Sequence, residues 1–192
     1  MRKPVVILVN GLPGTGKTTL ARRLAADVAL PVFSRDSLYE TLYDTLACSS
    51  KEIPPLLGSA AFALLYSVVG SVLAAGQSVI IEQFFGRPAL RTAELLHLQR
   101  IHDFEPFQIL CRAEGRVLLE RFLARREAEE RHASHQDQEW VEQNKALLLQ
   151  GQLSPLALGG QIVEIDTTTP HSFEYATLLQ QVRAALGHAP AH

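Results

Sequence analysis

Cysteine is nearly absent from this chain of 192 residues, with only Cys48 and Cys111 present. Neither shows metal-ligand spacing, and two isolated thiols cannot make a disulfide framework, so free thiols in a reducing compartment are expected. No excess of one charge exists either. The formal net charge of −2 offers no general attraction to nucleic acid or to an anionic membrane surface, and neither partner is expected. Long apolar runs are also missing. The longest stretch, at residues 60–75, is interrupted by Ser67, Gly70 and Ser71, is short for a membrane span, and reads as a buried helix. There is no repeat and no linker-like segment. Met1-Arg2-Lys3-Pro4 runs straight into a functional motif, so no cleavable leader is expected and the expected compartment is the cytoplasm.

What is present is a soluble-globular composition, 47% apolar and 20% charged, at a length that suits one compact domain. A single domain over residues 1–187 is expected, with a frayed tail at 188–192. Short β-like runs alternate with longer helical ones, which argues for a parallel sheet with helices on both faces. The strands are expected at 5–9, 31–34, 78–82, 107–111 and 162–165. Between the second and third lies a helical region broken near Pro54-Pro55, and a last helix is expected at 172–186, capped by Ser172.

The most telling motif follows the first apolar run. Gly11-Leu12-Pro13-Gly14-Thr15-Gly16-Lys17-Thr18-Thr19 is G-x-x-x-x-G-K-T, a phosphate-binding loop. Its glycines let backbone N–H groups approach a polyphosphate, Lys17 supplies a point charge for the β- and γ-phosphates, and Thr18 a hydroxyl for Mg²⁺. Context supports it, because Val5, Val6, Ile7, Leu8 and Val9 read as a buried parallel strand and Leu20, Leu24 and Val28 as the apolar stripe of the next helix. ATP and Mg²⁺ are therefore the expected cofactors.

Other chemistry-bearing residues fall at the carboxyl ends of the expected strands, where an open parallel sheet binds its ligands. Asp36, just past the second strand, is a candidate base for an acceptor hydroxyl, with an N-cap for a helix starting at Ser37 as the structural alternative. Glu82, ending the third strand, could serve Mg²⁺ or the acceptor. Arg121 and Arg125, four apart, present two guanidinium groups on one helical face and are candidates to stabilise a transferred phosphoryl group from a polar helical lid at about 114–137. His132 and His135 lack further ligands at zinc-like spacing. Asn144-Lys145-Ala146-Leu147 lacks the aspartate of a guanine-reading motif, which argues against a GTPase.

With these residues placed, the chain resembles the AAA-type P-loop small-molecule kinases, a group that includes chloramphenicol phosphotransferase-like and gluconate-kinase-like enzymes and the kinase domain of polynucleotide kinase. The resemblance spans residues 5–182. It rests on the phosphate loop, Ser34-Arg35-Asp36, the stretch Gly76-Gln-Ser-Val-Ile-Ile-Glu82, Phe85-Gly-Arg87-Pro-Ala-Leu-Arg91, Arg121-Phe-Leu-Ala-Arg125 and Asp166-Thr167-Thr168. It implies a three-layer α/β fold whose five parallel strands run in the order 2-3-1-4-5, with a helical lid. It also implies Asp36 as base, Arg121 and Arg125 as lid residues, and Asp166, Thr167 and Thr168 near the adenine. Two departures stand out: relatives commonly carry aspartate where this chain has Glu82, and Ala133-Ser134 replaces Pro-Gly in a stretch similar to Arg-His-Pro-Gly-His-x-Asp.

The function these readings lead to is ATP-dependent phosphate transfer to a hydroxyl of a small molecule, by a monomer or homodimer. Two alternatives remain open at this stage: a nucleotide or nucleic-acid 5′-end kinase, in which Arg35, Arg87 and Arg91 would hold an acceptor phosphate, and a nucleotide-binding regulatory ATPase with no acceptor. The region 38–62, with Tyr39, Tyr43, Leu46, Leu56 and Leu57, is expected to line a partly apolar acceptor pocket.

Overall fold

A computed structural model describes residues 2–49, 52–127, 132–135, 137–170 and 172–187. Five strands, β1 (Val5–Gly11), β2 (Val32–Ser34), β3 (Val79–Gln83), β4 (Glu105–Arg112) and β5 (Gln161–Asp166), form one sheet in the order β2-β3-β1-β4-β5. All four pairings are parallel. The described helices are α1 (Lys17–Val28), α2 (Arg35–Thr45), α3 (Leu57–Ala74), α4 (Pro88–His102), α5 (Gly115–Glu127), α6 (Asp137–Gln150) and α7 (Tyr175–Leu186). This is the expected three-layer α/β fold with the expected strand order.

The unbroken apolar run of β1 has a direct cause in its central place. Val5, Ile7 and Val9 face one side and pack with Leu20, Leu24 and Val28 of α1 and Leu178 and Val182 of α7. Val6 and Leu8 face the other and pack with Leu65 and Val69 of α3 and Leu95 and Leu98 of α4. Successive strand residues point to opposite faces, so a strand covered on both sides must be apolar at every position. Withdrawing side chains such as Ile7 and Leu8 from water favours the fold by roughly 2 kcal/mol each.

Helix α3 is the one described helix long and apolar enough to cross a membrane by length and composition. Here Ala61, Leu65, Val69 and Leu73 are buried against the sheet, while Leu64 on another face is exposed. It ends with Gly76 at φ 72°, the left-handed conformation that glycine adopts without a Cβ penalty.

Three expectations need correction. Ser172 does not cap the last helix, which begins at Tyr175 with Glu174 at the cap position. Its hydroxyl oxygen instead lies 2.7 Å from the carbonyl oxygens of both Asp166 and Thr169, within reach of donating to either, and closes the turn after β5. The first part of the supposed lid is no excursion: α5 packs on α6, and Leu118, Leu148 and Leu12 share a small core of their own. Phe122 is buried as well. Finally, Leu46 and Leu56 are 58% and 74% exposed and Tyr43 and Leu57 are core residues, so only Tyr39 of the five supposed acceptor residues lines the cavity described below. The tail 188–192 and Arg131 lie outside the described residues.

Candidate active site

The carboxyl ends of β1, β2 and β3 open into a cavity of about 440 Å³. At its floor is the phosphate loop. Gly11 must be glycine because the protein itself crowds it: a Cβ there would lie 2.6 Å from Thr15 Oγ1 and 2.7 Å from the Cys111 carbonyl. Gly16 is different, with φ 73° and, its two chain neighbours aside, no protein atom within 4 Å of where its Cβ would stand. That open space at the start of α1 is a cradle for a ligand, beside a helix N-terminus whose unpaired N–H groups favour an anion. Thr15 is buried and shapes the loop by donating from Oγ1 to the Leu12 carbonyl at 2.8 Å.

Lys17, the first residue of α1, is only 8% exposed and lies in the cavity with Pro13 and Thr18. Its Nζ stands 3.8 Å from Oε1 of Glu82, which is 3% exposed at the end of β3. Register explains the approach, since Glu82 pairs with Val9 of β1 on one side and Ser34 of β2 on the other. Burial raises the Glu82 pKa above the ordinary value; Lys17 opposes this, Asp36 adds to it, and the hydroxyls of Ser34 and Thr18 oppose it more weakly. The Thr18 hydroxyl and the Glu82 carboxylate make a donor set suited to Mg²⁺, an oxygen-seeking cation that takes most of its ligands from water and phosphate. A cation there would relieve the cost of burying the Glu82 charge. Among the described residues no three His, Cys, Asp or Glu side chains cluster as metal ligands, so phosphate oxygens would have to complete the shell.

Asp36 lines the same cavity as Lys17 and Thr18 of the phosphate loop. It is the second residue of α2, with Ser34 at the cap position, so the capping alternative does not describe it. Its Oδ1 accepts from Arg35 Nη1 at 3.2 Å, and both side chains line the cavity. Arg35 is held by packing, its Cζ 4.3 Å from the centre of the Tyr39 ring.

The lid arginines part company. Arg121 is already engaged with backbone: Nη1 donates to the Gly14 carbonyl at 3.2 Å, and Nη2 to those of Thr167 and Thr168 at 3.0 and 2.8 Å. It ties the phosphate loop to the segment after β5 and does not wait for a ligand to order it. Arg125, one turn on, lines the cavity and donates from Nε to the Arg121 carbonyl at 3.4 Å. Asp166 and Thr168 lie in a second cavity of about 470 Å³ with Arg112, Glu114, Gly151 and Ser172. Hydrogen bonds from Thr168 hold the Asp166 carboxyl below its ordinary pKa, with a smaller contribution from Arg112. Thr167 N–H and Oγ1 both donate to the Arg112 carbonyl, at 2.8 and 2.9 Å.

Two supposed acceptor residues fall outside this constellation. Arg91 is 9% exposed, pairs with Glu94 and lies with Cζ 3.3 Å from the centre of the Phe62 ring, and it is no part of the cavity lining. Arg87 stands exposed at the cap position of α4 and does not line the cavity either. The rest of the wall escaped sequence reasoning. Phe84, Phe122 and Trp140 form an aromatic group, with Trp140 stacked on Phe122 at 5.7 Å and edge-on to Phe84 at 5.6 Å. Gln83, Gln143, Ile53, Ser134 and His135 complete it. The sole tryptophan, amid the polar residues that open α6, was the one available signal.

His132 and His135 each meet a carboxylate. His135 Nε2 lies 2.8 Å from Glu40 Oε1 and His132 Nε2 lies 3.0 Å from Asp44 Oδ1. Both carboxylates are on α2, so these contacts fasten the stretch before α6 onto the helix that carries Asp36.

No curated protein matches the sequence. A solved structure described as a candidate kinase from Chloroflexus aurantiacus j-10-fl is 36% identical, with TM-score 0.85, covering 96% of this chain and 99% of that one. A sugar kinase from Janibacter sp. HTCC2649 is 19% identical, with TM-score 0.61 and full coverage of both chains. Kti12 from Chaetomium thermophilum, solved in complex with ADP-AlF3, is 19% identical, with TM-score 0.62, covering 98% of this chain and 100% of that one. The latter two share the fold alone. A family model described as an AAA domain matches residues 6–148, a span that runs from the first strand and phosphate loop into α6, and the chain belongs to that family of kinase-like P-loop proteins.

Proposed function

We propose that this protein is an ATP-dependent phosphotransferase that moves the γ-phosphate of ATP to a hydroxyl of a small molecule. The observation that carries the reading is one cavity lined by both Lys17 of the phosphate loop and Asp36 of α2. A protein that only binds nucleotide needs the first and has no use for a carboxylate in the same cleft.

ATP is placed with its phosphates over the loop N–H groups and the start of α1, and Lys17 on the β- and γ-phosphates. Thr18 and Glu82 are the residues that would hold Mg²⁺, which when bound neutralises phosphate charge. The acceptor hydroxyl gives its proton to Asp36 as its oxygen bonds to the γ-phosphorus, and the bond from that phosphorus to the β–γ bridging oxygen breaks to release ADP. Arg125 stabilises charge on the equatorial phosphoryl oxygens. Arg121, with Asp166, Thr167 and Thr168, borders the end of the site where the nucleoside rests.

A screen of radiolabelled ATP against sugars, nucleosides, aminoglycosides and phenicols tests this. Transfer to a defined hydroxyl, lost in Asp36→Asn, is the expected result. Tight nucleotide binding with phosphate released only to water would overturn it in favour of a regulatory ATPase, the reading that the likeness to Kti12 keeps in view.

A further inference from the structure

The acceptor end of the cavity has a definite chemical character. Its walls are aromatic and amide: Tyr39, Phe84 and Trp140, with Gln83 and Gln143. A ring-bearing molecule is what such walls hold, by stacking and by apolar contact, with the amides serving its polar substituents.

Charge decides more. An enzyme whose acceptor is itself anionic must gather cations for it beyond those that serve ATP, because two anions in one cavity repel. Arginine is the usual means, with its forked donors directed at phosphate or carboxylate. Here, among the described residues, only three Lys or Arg side chains line the cavity, Lys17, Arg35 and Arg125. Arg35 is paired with Asp36 at 3.2 Å. Arg91 is paired with Glu94 and faces Phe62, outside the cavity. Arg87 is outside it too. Lys17 and Arg125 serve the phosphate end under the function proposed above.

Acids, by contrast, are aligned. Asp36, Glu40 and Asp44 follow one another at intervals of four along α2, which places them on one side of the helix. Glu40 holds His135, itself in the cavity wall, and Asp44 holds His132. Among the described residues, this side of α2 therefore carries three carboxylates, Asp36, Glu40 and Asp44, beside the guanidinium of Arg35.

Resting on the phosphotransferase reading, we infer that the acceptor is a ring-bearing alcohol without negative charge, either uncharged or a cation. Its ring lies against Trp140 and Phe84 and its hydroxyl reaches Asp36. The acid-rich face of α2 turns phosphorylated and carboxylated alcohols away, which excludes a nucleotide or a nucleic-acid 5′ end as the acceptor in the same stroke.

Trp140 is the only tryptophan in the chain and reports on this wall directly. The test titrates the whole protein, saturated with Mg²⁺ and a non-hydrolysable ATP analogue, with matched alcohols while following its emission. The pairs are phenyl glucoside against phenyl glucoside phosphate, thymidine against thymidine monophosphate, and phenylalaninol against phenyllactate. Binding is expected from uncharged or cationic members, with each anionic counterpart weaker by about tenfold or more. In the double variant Glu40→Gln, Asp44→Asn that ratio should shrink several-fold, since glutamine and asparagine keep the hydrogen bonds and remove the charge. Anionic members that bind as tightly as their partners, no response to any uncharged or cationic member, or a ratio unchanged in the double variant would each overturn the inference. Its failure is distinct from that of the kinase reading. Phosphate transfer to an anionic alcohol upholds the kinase and defeats this proposal, whereas binding of neutral ring alcohols without transfer does the reverse.

Discussion

Lys17 Nζ lies 3.8 Å from Glu82 Oε1, and both side chains are withdrawn from water. Each therefore shields the other in the free protein. Lys17→Ala is expected to abolish nucleotide binding and also to destabilise the fold at neutral pH by about 1–3 kcal/mol, the cost of leaving a buried polar group without its partner. Adding Glu82→Gln should recover that stability and leave nucleotide binding absent. Thermal melting and ATP titration of the two single variants and the double variant check this. Additive losses in melting would show that the pair is not coupled.

Asp36→Asn separates catalysis from architecture. Asp36 is inside the first turn of α2 and not at its cap, so asparagine removes charge with little effect on the helix. Phosphate transfer should fall by about 10²–10⁴-fold, the range of a general base, with ATP affinity nearly unchanged. Wild-type turnover in this variant would assign Asp36 to holding Arg35 alone.

Two carboxyl groups should give opposite slopes of stability against pH. Asp166 has a pKa lowered below 3.8 by Thr168, so its contribution is complete above that value and is lost as pH falls through the lowered one. Glu82 has a pKa raised above 4.5 by burial, so its native form holds a proton more tightly than the unfolded chain does. Its contribution is present below that value and is lost as pH rises through the raised one. Melting curves of Asp166→Asn and Glu82→Gln beside the parent, from about pH 2 to pH 8, should each flatten one slope and leave the other.

What could be read from the amino-acid sequence follows from which interactions are local. The apolar run of β1 announced a strand covered on both faces, and the phosphate loop carries its chemistry within nine consecutive residues. The placing of Asp36 and Glu82 near the phosphate loop could be expected because strand ends in a parallel sheet converge. The aromatic wall could not be, since Phe84, Phe122 and Trp140 meet only after α5 and α6 have packed. Arg91 was misplaced for a similar reason. Its arginine character suggested a ligand, but the Phe62 ring and Glu94 satisfy it inside the protein.

Arg121 and Arg125 looked equivalent by spacing, and the fold makes them unlike. Arg121 reaches carbonyls 107 and 46 residues away in the chain, joining the phosphate loop to the turn after β5. Removing it should loosen both, so Arg121→Ala is expected to lower melting temperature and weaken ATP binding together. Amides of α5 should be protected from exchange before any nucleotide is added, because Leu118 and Phe122 are buried beneath it. Arg125 lines the cavity, and a contact strengthened in the transition state is lost from kcat more than from ATP affinity. Arg125→Ala should therefore leave melting and ATP binding close to the parent while lowering turnover by about 10²-fold or more. Equal effects of the two substitutions on melting, binding and turnover would restore the picture of two equivalent lid arginines and remove the distinction drawn from their partners.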